Sequence, residues 1–279
     1  MNESLRILTQ RIPRLPTIPP VADKIIQLVS SNSTLVNSIV ETIEKDPAIS
    51  AKVLSFSNAA FFRMGGPVTD IRDAVMKIGF DNVKSIALGI SLLTIFKSNN
   101  NGDTGEYGCI IRHSIAVGII AKCIVDMLEW RDHEEVFTSG LLHDIGMLVM
   151  YAFFRDMHEQ IIEKFKKGTP FSEAEREVCG FTHADTGAWL ADKWKLPDSF
   201  CNAIRYHHTP ALAGCDPSLS SVVHLADIIA VRKAFSPTSI SGYEYGIDNA
   251  AMKILGITEQ KIAEVERMAE EVTAPVRNM

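Results

Sequence analysis

Apolar residues along this chain recur mostly three and four positions apart, with almost no alternation of apolar and polar residues, so helices are predicted nearly throughout. Asp46-Pro47 reads as an N-cap followed by proline at the first helical position, and Ile49, Val53 and Phe56 then repeat on one face. Asp70 opens a similar segment with Ile71, Val75 and Ile78 on its apolar side, and Gly79 closes it. Asp81 restarts a third helix through Val83, Ile86 and Ile90. The pattern then breaks at Ser98 to Glu106, SNNNGDTGE, which is polar and without periodicity and is expected to be an exposed loop between two helical lobes.

Helical spacing resumes in IIRHSIAVGIIAKCIVDML, which carries His113, and in FTSGLLHDIGMLVMYAFF, which carries the HDIG tetrapeptide, so both groups are expected on buried helices. Ser172-x-x-Glu175 has the form of a capping box opening a charged helix that ends near Gly180. Pro197-Asp198 starts another helix, with Phe200 and Ile204 facing the core and His207-His208 closing its last turn. From Thr258, Ile262, Val265 and Val272 form one stripe among acidic residues, the pattern of a docked amphipathic helix. The expectation is an all-α protein in three parts: an N-terminal helical lobe over 1–97, a helical core over 107–235, and a C-terminal loop and helix over 236–279. Trp130, Trp189 and Trp194 are read as core and interface fillers, because none alternates with Lys or Arg as a base-stacking surface would.

Composition narrows the range of functions. With 279 residues, 46% hydrophobic and 22% charged, the chain can bury a sizeable core as one large domain or two small ones. A net charge of −6 without a basic run argues against nucleic acid as a main partner, since phosphate-backbone affinity needs clustered cations. The near-apolar run Ile86 to Phe96 is too short to cross a bilayer, so no membrane association is expected. MNESLRILTQRIPR lacks the arrangement of a signal peptide, and a cytoplasmic location is expected. The five cysteines (109, 123, 179, 201, 215) are odd in number, far apart and without C-x-x-C, as reduced structural thiols are.

Five separated stretches supply seven metal-ligand side chains: His113, His143 and Asp144, His183, His207 and His208, and Asp227. Imidazole and carboxylate together suit divalent zinc, manganese, iron or magnesium, and seven such groups exceed one tetrahedral site. Two metals sharing one carboxylate is the economical reading. A single buried histidine is more often a hydrogen-bonded core residue, but Asp144 and Asp227 lie amid Leu, Ile, Val and Ala, where a carboxylate needs a cation or strong donors. Adjacent His207 and His208 point about 100° apart on a helix, so both reach one cluster only near a helix end. His133 and His158 sit in charged contexts and are read as solvated. His224, three residues before Asp227, shares its helix face and could orient a ligand, although ordinary packing is the expectation.

The order H…HD…H…HH…D over 107–235 resembles the HD superfamily of metal-dependent phosphohydrolases. IPRLPTIPPVADKI, DPAISAKVLSFSNAAFF, IRDAVMKIGFDNVKSIALGISLL and HADTGAWLADKWKLPDSFCNAIRYHHTP extend the likeness to the HDOD family, over about 11–235. That resemblance implies a multi-helix HD-type bundle with an N-terminal helical lobe and a role in bacterial signal transduction. It also implies two divalent metal ions. His113, His143, Asp144 and Asp227 would hold one, and His183, His207 and His208 the other, with Asp144 bridging and helping to activate water. Hydrolysis of a nucleotide or other phosphoester is the implied reaction, and a signalling protein is an implied partner.

Two alternatives stand beside hydrolysis. Relatives that cleave cyclic dinucleotides carry Lys after HDIG and a GYP signature; here the residue is Met147 and the signature is absent, which favours a non-catalytic ligand-binding or scaffold role. Cys109 stands where an acid for a third metal would be, and Arg112 and Arg205 are the neighbouring sources of positive charge. Mixed histidine and carboxylate ligands also suit iron, so a di-iron oxidative enzyme is the further alternative.

Overall fold

The computed structural model describes residues 17–30, 36–58, 66–96, 105–130, 135–214, 216–237, 240 and 246–278, and every regular element among them is helical. The first group is α1 (Pro20–Ser30), α2 (Val36–Glu44), α3 (Pro47–Ser57), α4 (Ile71–Ile78) and α5 (Phe80–Thr94). Asp46 caps α3 by accepting the N–H groups of Ala48 and Ile49 at 3.0 and 3.1 Å, and Asp70 caps α4 by accepting that of Asp73 at 2.8 Å. Such caps satisfy N–H groups that the first helical turn leaves without partners. Gly79, at φ 86°, ends α4 and leads directly into α5, which therefore begins at Phe80, one residue before the expected Asp81. Helices α1, α3 and α4 all pack on α5, whose Val83, Ile86 and Ile90 are buried.

The second group begins with α6 (Gly105–Met127), so Gly105 and Glu106 belong to a helix rather than to the expected loop; 97–104 lie outside the described residues. Helix α6 is long and apolar enough to cross a membrane, but most of its apolar stretch is buried, the placement of a core helix. It packs against α7 (Val136–Leu142), and the crossing is close because both helices carry glycine: a Cβ on Gly140 would lie 2.8 Å from the Gly118 Cα. On another side of α7, Leu141 packs over Gly89 and joins α5 to this core.

Helices α8 (Ile145–Phe153), α9 (Arg155–Lys166), α10 (Phe171–Cys179), α11 (His183–Lys193) and α12 (Asp198–Tyr206) follow. A 3₁₀ turn, Pro210–Leu212, leads to α13 (Ser218–Arg232), α14 (Asn249–Leu255) and α15 (Glu259–Thr273). Helix α15 is capped by Thr258 and docks on α6 through Ile262 and Val265, with Val272 half-buried. Trp189 and Trp194 are buried and Trp130 is half-buried against the core. Cys109, Cys123, Cys179 and Cys201 form no disulfide; Cys215 lies outside the described residues.

Two further expectations are overturned. Ser172 and Glu175 form no capping box: α10 starts at Phe171 after Pro170, and Glu175 faces inward at 1% exposure. The capping box is Thr182 with Asp185 at the start of α11. His158 is not solvated but 5% exposed, edge-on to the Tyr151 ring at 5.7 Å, and burial lowers its pKa. Both residues lie on the apolar stripes of their helices, beside Phe171, Ala174 and Cys179 and beside Ile161 and Ile162 respectively, and the stripe outweighs the charged neighbours in sequence. His133 lies outside the described residues.

Candidate metal centre

Helix ends, not helix interiors, present most of the predicted ligands. The HD dipeptide sits in the break between α7 and α8 rather than inside a helix: His143 ends α7 and Asp144 precedes α8. Asp144 caps nothing. Gly146 lets α8 run against the start of α11, where a Cβ would lie 1.9 Å from the His183 carbonyl oxygen, and this contact brings Asp144 beside His183. His207 ends α12 with His208 following, so the adjacent pair reaches one cluster from a helix terminus. His113 and Asp227 project from the interiors of α6 and α13.

The seven side chains converge as two four-donor groups that share Asp144. In one, His113 Nε2 lies 3.3 Å from His143 Nε2, 3.1 Å from Asp227 Oδ1 and 3.5 Å from Asp144 Oδ2, while His143 Nε2 lies 3.3 Å from that Oδ2. In the other, His183 Nε2 lies 3.3 Å from His207 Nε2, 3.0 Å from His208 Nε2 and 3.3 Å from Asp144 Oδ1, with His207 Nε2 3.7 Å from the same Oδ1. Ligands held about 2.1 Å from one ion, in octahedral or tetrahedral geometry, are about 3.0–3.4 Å apart. Six of the eight distances above fall in that range and the other two, 3.5 and 3.7 Å, lie just beyond it, as does His143 Nε2 to Asp227 Oδ1 at 3.9 Å; His143, His207 and Asp227 also lie within 4.8 Å of one another, so the two groups adjoin.

The opposite ring nitrogens are tied back. His143 Nδ1 donates to the Gly140 carbonyl at 2.7 Å and His207 Nδ1 to that of Ile204 at 2.6 Å, each using a carbonyl freed at its helix end. His113 Nδ1 donates to the Phe235 carbonyl. His183 Nδ1 lies 2.9 Å from both oxygens of Glu175, and Glu175 Oε1 also accepts the His183 backbone N–H at 2.9 Å. Backing of this kind fixes the tautomer and leaves Nε2 free for a cation. His224 donates to the His207 carbonyl at 2.7 Å and accepts from the Asp248 N–H at 3.0 Å, so its packing role also holds the end of α12 in place.

Electrostatics sort these groups by charge. Burial works against a charge on His183, but Glu175, then Asp144 and Asp227, overcome it and push its pKa up to about 9. Burial and the neighbouring His183 charge push His208 down to about 3, and burial with His208 holds His207 well below its ordinary value. Burial opposes ionisation of Asp144 and Asp227, yet the histidines around them, His143 first for Asp144 and His113 first for Asp227, keep both carboxylates below the usual range. The Nε2 atoms of His207 and His208 face that of His183 at 3.3 and 3.0 Å, a spacing at which their lone pairs oppose one another unless a cation stands between them. The residues therefore fit divalent metal.

A cavity of about 20 Å³ adjoins the cluster, room for about one water. Its wall combines ligands with Met147, Phe171, Val231, Pro237 and Ile240. Arg112 instead donates to Cys109 Sγ at 3.1 Å, and Arg205 lies 3.9 Å from Asp185; neither is among the residues lining this cavity. Glu175 is the site residue that sequence reading missed. Its position on the apolar stripe of α10 was the available signal, since an acid there must be neutralised or directed at a donor.

The profile of the HDOD domain family matches residues 15–210 of this chain, a range that includes six of the seven residues and stops before Asp227. The fold is similar to that of an HDOD domain protein of unknown function from Geobacter sulfurreducens, with a TM-score of 0.78, 21% identity and 97% of each chain covered. It is also similar to a proposed phosphohydrolase from Shewanella amazonensis SB2B, with a TM-score of 0.74 and 23% identity, covering 96% of this chain and 97% of that one. An uncharacterised protein of Treponema pallidum (strain Nichols) is 24% identical over 202 residues, and the match spans 72% of this chain but 39% of that protein's length.

Proposed function

Because this chain belongs to the HDOD domain family, we propose that it is a cytoplasmic bacterial signalling module built around a dinuclear metal site, with metal-dependent hydrolysis of a nucleotide or other phosphoester as its chemistry. The observation that carries this reading is the pair of four-donor groups, spaced as ligands of single ions, that share Asp144 through opposite oxygens. Two divalent ions bound there would lower the pKa of a water and neutralise charge on phosphoryl oxygens. The chain's own part is to hold those ions with His113, His143 and Asp227 on one side and His183, His207 and His208 on the other, and to keep bulk water out with Met147, Phe171 and Val231.

A second reading, a ligand-gated or protein-binding regulatory module without turnover, draws support from the cavity itself. It has room for about one water, and Met147 supplies no positive charge to a phosphate. The test is a panel of phosphomonoesters, linear dinucleotides and cyclic nucleotides presented to the chain reconstituted with Mn(II), with Asp144→Ala as control. Hydrolysis that disappears in the control supports the first reading. Metal-loaded protein that turns over none of the panel favours the second.

A further inference from the structure

The two donor groups share Asp144 but are unequal in charge. Asp227 lies against the group of His113 and His143, 3.1 Å and 3.9 Å from their Nε2 atoms, whereas among the described residues the group of His183, His207 and His208 has three imidazoles and, within 4 Å of their Nε2 atoms, only the shared Asp144. Glu175 stands behind His183, on the side of the ring away from the cluster, with both oxygens 2.9 Å from Nδ1. It is 1% exposed, and among the described residues its carboxylate bonds only to the ring and backbone N–H of His183. A buried carboxylate with no Lys or Arg beside it is costly unless a cation lies close.

We propose that Glu175 is a positioning residue that supplies the missing negative charge of the three-imidazole position, acting through His183 so that this position can hold a dication. Each position then has one carboxylate of its own, Asp227 as a direct ligand and Glu175 through a ring, plus a share of Asp144. The backbone bond from His183 to Glu175 fixes the geometry, so the charge and the tautomer are delivered together. Loss of its charge, with a hydrogen-bond acceptor kept in place, therefore empties one position and leaves the other.

This inference rests on the dinuclear reading, and its test separates the two. Apoprotein of the full chain is titrated with Mn(II) and, after desalting, assayed for metal per chain, for the natural sequence and for Glu175→Gln, which keeps shape and a hydrogen-bond acceptor but removes the charge. The expected result is two equivalents in the natural chain and one in Glu175→Gln, the second site weakened by about 10–100-fold. Glu175→Gln combined with His208→Ala loses nothing beyond His208→Ala alone, while its combination with Asp227→Asn loses both equivalents. Two equivalents of unchanged affinity in Glu175→Gln, or loss of both, overturns the proposal. A natural chain that binds no metal overturns the dinuclear reading itself. Should Glu175→Gln fail to fold, nitrogen-15 NMR of the zinc-loaded natural chain decides: the proposal requires His183 protonated at Nδ1 and metal-bound at Nε2, and an unprotonated Nδ1 contradicts it.

Discussion

Helices α1 to α5 and the half of the molecule from α6 onward are built on different terms. Among the described residues, the buried polar side chains of the first group are three serines, Ser57, Ser85 and Ser91, two of which donate to carbonyls one turn back. The second group buries two aspartates, a glutamate and six histidines. Titratable groups are rarely tolerated in an interior, because each must be neutralised, paired or bound to a cation. The first group is thus a scaffold whose order follows from apolar faces and caps, and the second holds a charge arrangement that packing alone does not explain.

Removing Asp144 should break this contrast most completely. Asp144→Ala deletes the shared carboxylate, and both metal equivalents should be lost by elemental analysis while circular dichroism stays helical; retention of either equivalent would contradict the bridging role. On the scaffold side, Ile86→Ala empties a fully buried position in α5 and should cost about 2–5 kcal/mol in denaturant unfolding, with metal content per folded chain unchanged. A change in metal stoichiometry there would mean that the two regions are not separable.

Acidity sharpens the comparison further. His183, pushed up to about 9, carries a proton in the metal-free chain that metal must displace, so metal affinity at its position should rise with pH, by up to about tenfold per unit, and level off above about 9. Titration calorimetry at pH 7 in buffers of different ionisation enthalpy should accordingly show about one proton released at that position. Binding without proton release would contradict the assignment. The smallest effect belongs to Asp46→Ala, which removes the cap of α3 and should cost about 1 kcal/mol without any effect on metal.

Much of this was legible in the chain. Asp46, Asp70, Gly79 and Gly180 punctuate helices where their chemistry predicts, because caps and left-handed glycines are local devices. The seven side chains brought together by the fold could be picked out by residue type, order and apolar surroundings. Glu175 and His158 could not be read from their neighbours, since SEAERE and RDMHEQ look solvated; only the helical stripe, taken over several turns, turns them inward. The placement of His143 and Asp144 in a helix break was also hidden, because the apolar run continues through it and the close packing of Gly146 on α11 is a tertiary contact.

The most direct test of the central claim is a metal count on the full chain purified without chelator or nickel affinity resin. Close to two equivalents of iron, manganese or zinc per chain are expected. No metal, even after reconstitution, would contradict that claim and leave a hydrogen-bonded polar pocket in place of a dinuclear centre.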